Sequence, residues 1–129
     1  MNEQKPNKTI YKNQEEIYNK IIKLIKEKYL KQFSRLYLTG SLASKTFGIY
    51  DKEYEGYGGS DIDLAGIPKI KIKGRYRGFM HNWYHEYQLG EIEINNIKHP
   101  INLNLRMKSN IKQFMDKMKE LNKPIKRLK

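Results

Sequence analysis

The sequence predicts an α/β (α+β) domain, a small mixed β-sheet with helices packed on one face. Three observations carry that expectation. Apolar residues recur at helical spacing in "NQEEIYNKIIKLIKEKYLKQF" and in "SNIKQFMDKMKELNK". By contrast, "RLYLTG", "SDIDLAGI" and "GEIEINNIKHPINLNLR" have the β-branched runs and two-residue alternation of strands. Finally, 129 residues is enough chain for one domain with a modest core.

Residues 1–11 show no periodicity and are expected to be a flexible lead-in to a single domain over 12–122, with a basic tail at 123–129. In the first helix Ile17, Ile21, Leu24, Ile25 and Tyr29 form one apolar face. Asn13 stands at its cap position, and Glu15 and Glu16 lie in the first turn, where the helix dipole favours acids. "RLYLTG" is a buried strand ending at Gly40, and "SLASKTF" is a short helix opening at Ser41. "IYDKEYEGYGG" reads as a glycine-rich loop, and Pro68 ends the strand "SDIDLAGI". "KIKIKGRYRG" alternates as a further strand; "FMHNWYHEYQ" fits strand or helix equally. A tight turn at Asn95-Asn96 makes the next stretch a hairpin, because both residues tolerate positive φ. Ser109 is placed to cap the last helix, whose face is Ile111, Phe114, Met115, Met118 and Leu121, with Pro124 beyond its end.

The formal charge is +12, from 26 Lys and Arg against 14 Asp and Glu, which favours a polyanionic partner. There is no cysteine, so disulfides and thiolate metal sites are excluded and any metal binds through oxygen or histidine. No apolar stretch approaches the roughly 18 residues of a membrane span, and a cytoplasmic protein without membrane contact is the expectation.

Asp61 and Asp63 are two apart, so in a strand they share one face while Ile62 and Leu64 point to the core. Two such carboxylates repel unless a positive charge lies between them, and a hard divalent cation, Mg²⁺ or Mn²⁺, answers that need. Gly40 and Ser41 fit from the other side. A strand that turns tightly at Gly and opens a helix at Ser offers backbone N–H groups and a hydroxyl to phosphate. The plainer reading keeps Ser41 as a cap and the aspartates at a wet strand end.

Together, "TGSLASKTFG" and "GGSDIDLAGI" resemble the signature of the DNA polymerase beta-like nucleotidyltransferase superfamily, closest in size to its minimal members. The resemblance covers roughly residues 35–67, and the preceding helix agrees with the family's layout. It implies a nucleotidyltransferase fold. It also implies transfer of a nucleoside monophosphate from an NTP, with ATP expected, to a hydroxyl-type acceptor on protein, RNA or a small molecule. Gly40 and Ser41 would then hold the triphosphate, Asp61 and Asp63 would act as catalytic metal ligands, and Lys45, Ser60 and Arg106 would complete the nucleotide contacts. Between Ser41 and Asp61 stand the residues 42–60, a longer spacer than the family's. Its Tyr50, Tyr54 and Tyr57 suggest a lid. The third carboxylate that the family carries on a later strand is replaced by Asn102, and Glu91, diagonal to it across the expected hairpin, is the substitute candidate. Glu93 is expected to pair with Lys98.

Two alternatives stay open beside an active enzyme. One is a catalytically weakened module that binds nucleic acid, with Lys69, Lys71, Lys73, Arg75 and Arg77 as its first surface and the tail as its second. The other is an antitoxin-like partner-binding protein. His81 and His85, with Glu86 and His99, make a weak zinc reading; aromatic packing around Trp83 and Tyr87 is the plainer one.

Overall fold

The computed structural model describes residues 6–80 and 84–129, and the expected mixed α/β architecture is present. In chain order the elements are β1 (Lys8–Ile10), α1 (Gln14–Tyr29), a 3₁₀ turn (Leu30–Gln32), β2 (Phe33–Thr39), α2 (Gly40–Ala43), β3 (Gly48–Tyr54), β4 (Tyr57–Gly59) and β5 (Ile62–Pro68). Then follow β6 (Arg75–Met80), β7 (Tyr84–Ile94), β8 (Ile97–Leu105), α3 (Ile111–Glu120) and β9 (Lys126–Arg127). Six strands form the main sheet in the order β6-β7-β8-β5-β2-β9, and β1-β3-β4 form a small second sheet. Among the described residues only β5 and β8 run parallel.

Ile17, Ile21 and Ile25 of α1 are buried against Leu36, Leu38, Ile62, Leu64, Ile101 and Leu103, the inward set of the three central strands. Burying each isoleucine contributes about 2 kcal/mol, so this stripe rather than helix propensity docks a helix whose outer face is lysine. Leu24, expected on the same face, is exposed. The other face of the sheet receives α3 instead. There Ile111 packs with Tyr37 and Ile67, and Phe114 and Met115 lie against them. The helices therefore take opposite faces rather than the single one expected, because Tyr37 and Ile67 make an apolar patch at one end of an otherwise polar face. Met118 is only half-buried, Leu121 is exposed, and the residue capping α3 is Asn110 rather than Ser109, its Oδ1 accepting from Met107 N–H at 3.0 Å.

Of the expected lead-in, residues 1–5 lie outside the described residues and Thr9 pairs with Ile49 in the small sheet; of the basic tail, Lys126 pairs with Leu38 in the main sheet and Leu128 is buried. The expected 50–59 loop is an antiparallel hairpin turning at Glu55 and Gly56, with φ of 51° and 87°; such a two-residue turn matches the twist of its strands. Conversely, residues 69–74 are not a strand. Lys69, Lys71 and Lys73 are exposed but do not form a regular row, because the pairing of β5 with β2 ends at Pro68 and Phe33. The Asn95-Asn96 turn is as expected, with φ of 51° and 67° and Ile94 facing Ile97.

His99 ties the two sheets together. Its Nδ1 lies 2.8 Å from the Ser60 carbonyl oxygen, which requires Nδ1–H to donate, so Nε2 accepts from the Tyr11 hydroxyl at 2.9 Å. Burial holds its pKa below the usual histidine value. Both nitrogens are thus engaged, and the zinc reading fails at this ligand. His81 and Trp83 lie outside the described residues; His85 stacks on Phe79 with ring centroids 4.6 Å apart.

Candidate nucleotide and metal site

The polar face of the main sheet is assembled by register. Thr39 stands opposite Asp63 across β2 and β5, Asp63 opposite Asn102 across β5 and β8, and Asn102 opposite Gln88 across β8 and β7. Paired residues point to the same side, as do residues two apart, so Asp61, Asp63, Asn102, Asn104, Gln88 and Glu86 share one face. Both aspartates are half-buried, with their carboxylates backed by the apolar layer beneath Ile62 and Leu64.

Gly40 is the residue that joins the two halves of the signature. It is exposed, has φ of +73°, and its backbone lies so close to Asp63 that a Cβ built there would overlap Asp63 Oδ2 and stand 3.1 Å from Cβ and Cγ. Glycine is required twice over, for its left-handed backbone and for the missing side chain. The chain thereby brings a tight turn and the opening of α2 against a carboxylate 23 positions later in sequence. Ser41 follows, half-buried; its carbonyl accepts from Thr46 N–H at 2.9 Å, which folds α2 back on itself. Lys45 is exposed with φ of 63°, on the turn that leaves α2.

Several expected site residues have other work. The Ser60 hydroxyl is buried and donates to the Gly48 carbonyl at 3.1 Å, with Gly48 N–H also 3.1 Å from it, so it fixes the start of β3 rather than facing a nucleotide. Glu91 pairs with Lys98 Nζ at 3.5 Å and accepts from the Tyr57 hydroxyl at 3.4 Å. The partner that the sequence predicts for Lys98 is Glu93 instead. The register is the expected one, Glu93 opposite Lys98 and Glu91 opposite Pro100, and Lys98 reaches the diagonal Glu91 instead of its direct neighbour. Tyr57 also receives a hydrogen bond from Gln88 Nε2, and Tyr50 is buried, so the hairpin tyrosines are packed against the sheet instead of forming an open lid. Tyr50 stays beside the site: burial first, then the charges of Asp61 and Asp63, raise its pKa.

A further acid near the aspartates is Glu86, which the sequence offered only beside the histidines of the zinc reading. Burial raises its pKa, Arg77 opposes that shift, and Asp61 and Glu55 reinforce it, which places its carboxylate within electrostatic reach of Asp61. Arg77 Nη2 is 3.3 Å from Glu55 and its Nε is 3.8 Å from Glu86, linking the tip of the β3–β4 hairpin to the sheet. Alternation along β7 was the available signal, since Glu86 is two positions from Gln88; nothing local identified it as near the aspartates. Arg106, expected at the site, is buried between the rings of Tyr84 and Phe114, its guanidinium carbon 4.4 and 4.2 Å from their centroids. Tyr84 in turn has its pKa raised by burial, then by Glu86, with a smaller push from Asp63 and an opposing pull from Arg106.

The donor set suits a hard cation. Asp61 and Asp63 supply charge, and Asn102, 3% exposed, has a side-chain oxygen buried without a hydrogen-bond partner among the described residues. An orphaned amide oxygen in register beside a carboxylate is costly unless something binds it. Among the described residues no three His, Cys, Asp or Glu side chains gather closely enough to hold a metal by themselves, so phosphate oxygens of a substrate would have to complete the shell.

Among the described residues no helix is long and apolar enough to cross a membrane. A scan against protein-family models finds no match and a search of curated proteins finds no relative, so the reading of function rests on this geometry.

Proposed function

We propose that the protein is a metal-dependent nucleotidyltransferase that moves an NMP from an NTP, with ATP the expected donor, to a hydroxyl acceptor. The observation that carries this reading is the close approach of Gly40 to Asp63, which sets the opening of α2 against one of the two carboxylates. Asp61 and Asp63 hold Mg²⁺ or Mn²⁺, with Asn102 as a neutral oxygen donor. When bound, the cation offsets the negative charge that develops on the phosphate oxygens.

The chain's own groups divide the remaining tasks. Backbone N–H groups at Gly40 and Ser41 orient the β- and γ-phosphates. The acceptor oxygen forms a bond to the α-phosphorus, the bond from that phosphorus to the β-bridging oxygen breaks, and pyrophosphate leaves with the electron pair. Glu86 takes the acceptor's proton; its raised pKa makes it a stronger base than an exposed carboxylate. Arg77 holds that carboxylate in place. Catalysis is otherwise positioning and charge compensation.

Incubation with each labelled NTP and Mg²⁺ or Mn²⁺, with cell extract as the acceptor source, tests the assignment. Label transfer that disappears in Asp61→Asn with Asp63→Asn supports it. Metal-dependent transfer unchanged in that double variant overturns it.

A second reading is favoured by Asn102. With an amide in register beside Asp63, the fold serves as a nucleotide-binding module of low turnover that acts on nucleic acid or on a protein partner, antitoxin-like. NTP binding without transfer under every acceptor condition distinguishes it. The cysteine-free composition suits a reducing, cytoplasmic setting for either reading.

A further inference from the structure

A groove of about 490 Å³ opens between the second half of α1 and the last part of β7. β6 covers β7 only from Tyr84 to Gln88, so beyond that point the outer edge of β7 has no strand beside it among the described residues. Leu24, Ile92 and Ile101 give the groove apolar walls, while Glu27, Glu91 and Glu93 give it an acidic rim. Lys28 also lines it, with its ammonium over the Tyr29 ring, and Lys98 pairs with Glu91. Glu27 and Glu93 have no ion pair among the described residues. On a chain of charge +12, the groove is a local concentration of carboxylates beside uncovered apolar surface.

The same chain carries the complement. Ile70 is 54% exposed and stands between Lys69 and Lys71, both exposed and without an ion pair among the described residues. The segment is pinned on either side of that isoleucine: Lys69 N–H donates to the Gln32 carbonyl at 2.8 Å, and Ile72 packs against the core. Ile70 is thereby held out in solvent, away from the groove of its own chain. Tyr29 lines the groove and Gln32 anchors the segment, so the two features sit at the same end of α1.

We infer that the groove receives residues 69–71 of a second copy of this chain, and that the exchange is reciprocal. Ile70 of each copy enters between Leu24 and Ile92 of the other, and Lys69 and Lys71 meet Glu27 and Glu93. Because groove and segment are neighbours on one surface, a two-fold axis between them fills both grooves at once and closes the assembly at a dimer. The net charge of each copy opposes association, but salt screens that repulsion over about 8 Å at physiological ionic strength, whereas the groove contacts are short-ranged and partly desolvated. Nothing in this dimer depends on the transferase reading.

Sedimentation velocity on the full chain tests it, from about 5 to about 500 μM at about 0.15 M salt. The native chain should pass from monomer to dimer across that range. Ile70→Ser should raise the dimer Kd at least about tenfold by removing the apolar anchor. Lys69→Glu with Lys71→Glu, and separately Glu27→Lys with Glu93→Lys, should each do the same, because segment and groove then carry like charges. An equimolar mixture of the two charge-reversed chains should sediment as a dimer again, since each segment now meets a groove of opposite sign. All five side chains are exposed, so thermal melts of the variants should stay within about 4 °C of the native chain. A native chain monomeric throughout, a dimer indifferent to Ile70→Ser, or a charge-reversed mixture that stays monomeric would each overturn the inference. So would a monomeric native chain that binds a fluorescein-labelled peptide of residues 68–74 through Glu27 and Glu93, which would assign the groove to a basic segment of another protein.

Discussion

Replacing Gly40 by alanine tests the contact on which the candidate site is built. Two costs are involved. Holding an L-residue at φ near +73° costs about 1 kcal/mol, and the new Cβ would overlap Asp63 Oδ2, so the carboxylate or the turn has to move. Gly56 separates the two effects, because it has φ of +87° and nothing within 4 Å of a built Cβ. Gly56→Ala should therefore show the strain alone, about 1 kcal/mol of stability or roughly 4 °C in Tm, with NTP and metal binding intact. Gly40→Ala should lose at least as much stability and, in addition, about 100-fold in transfer, since displacement of a reacting group by about 1 Å is enough for that; the loss is about 2.7 kcal/mol of barrier. Thermal melts combined with Mn²⁺-dependent NTP binding and transfer measure both quantities. If Gly40→Ala binds NTP and turns it over like Gly56→Ala, the approach of the turn to Asp63 has no bearing on chemistry and the reasoning fails.

Three further outcomes follow from named contacts. Glu86→Gln should lower transfer at neutral pH by at least about tenfold while leaving NTP affinity within about twofold, because it removes the proton acceptor but neither phosphate donor nor metal ligand; unchanged turnover would remove Glu86 from the site. Glu91→Gln should alter transfer by less than about twofold and stability by less than about 1 kcal/mol, as its partner is the exposed Lys98; a large loss would restore Glu91 as the third acid. His99 is held neutral by burial, with a folded pKa below its unfolded value near 6.5, so the unfolded chain binds more protons and stability contributed by His99 is lost as pH falls below about 6.5. Tm should accordingly fall on acidification, and subtraction of the His99→Gln profile should isolate that component; superimposable profiles would show that His99 is not its source.

What the sequence by itself determined were the features with a local cause. The Ile17, Ile21 and Ile25 stripe settled α1, the Asn95-Asn96 pair settled the β7–β8 turn, and the alternation around Asp61 and Asp63 settled β5 and which of its faces is polar. The tertiary structure decided everything that depended on which strands meet. Glu55-Gly56 carried a hairpin signal, but it was hidden inside a polar glycine-rich stretch whose strands are held by distant partners: β1, His99 through Ser60, Glu91 and Gln88 at Tyr57, and Arg77 at Glu55. The Lys-Ile alternation of residues 69–73 had a strand's pattern without a strand's partner, and backbone groups need a partner to make a ladder. The third acid shows the same limit. Glu91 keeps its expected register but takes the diagonal Lys98 as partner, while Glu86 is brought into reach of Asp61 through two interstrand registers and an Arg77 clamp. Side-chain facing along one strand is a period of two that can be read from sequence, but the order of strands is a balance of long-range burial that no short stretch contains.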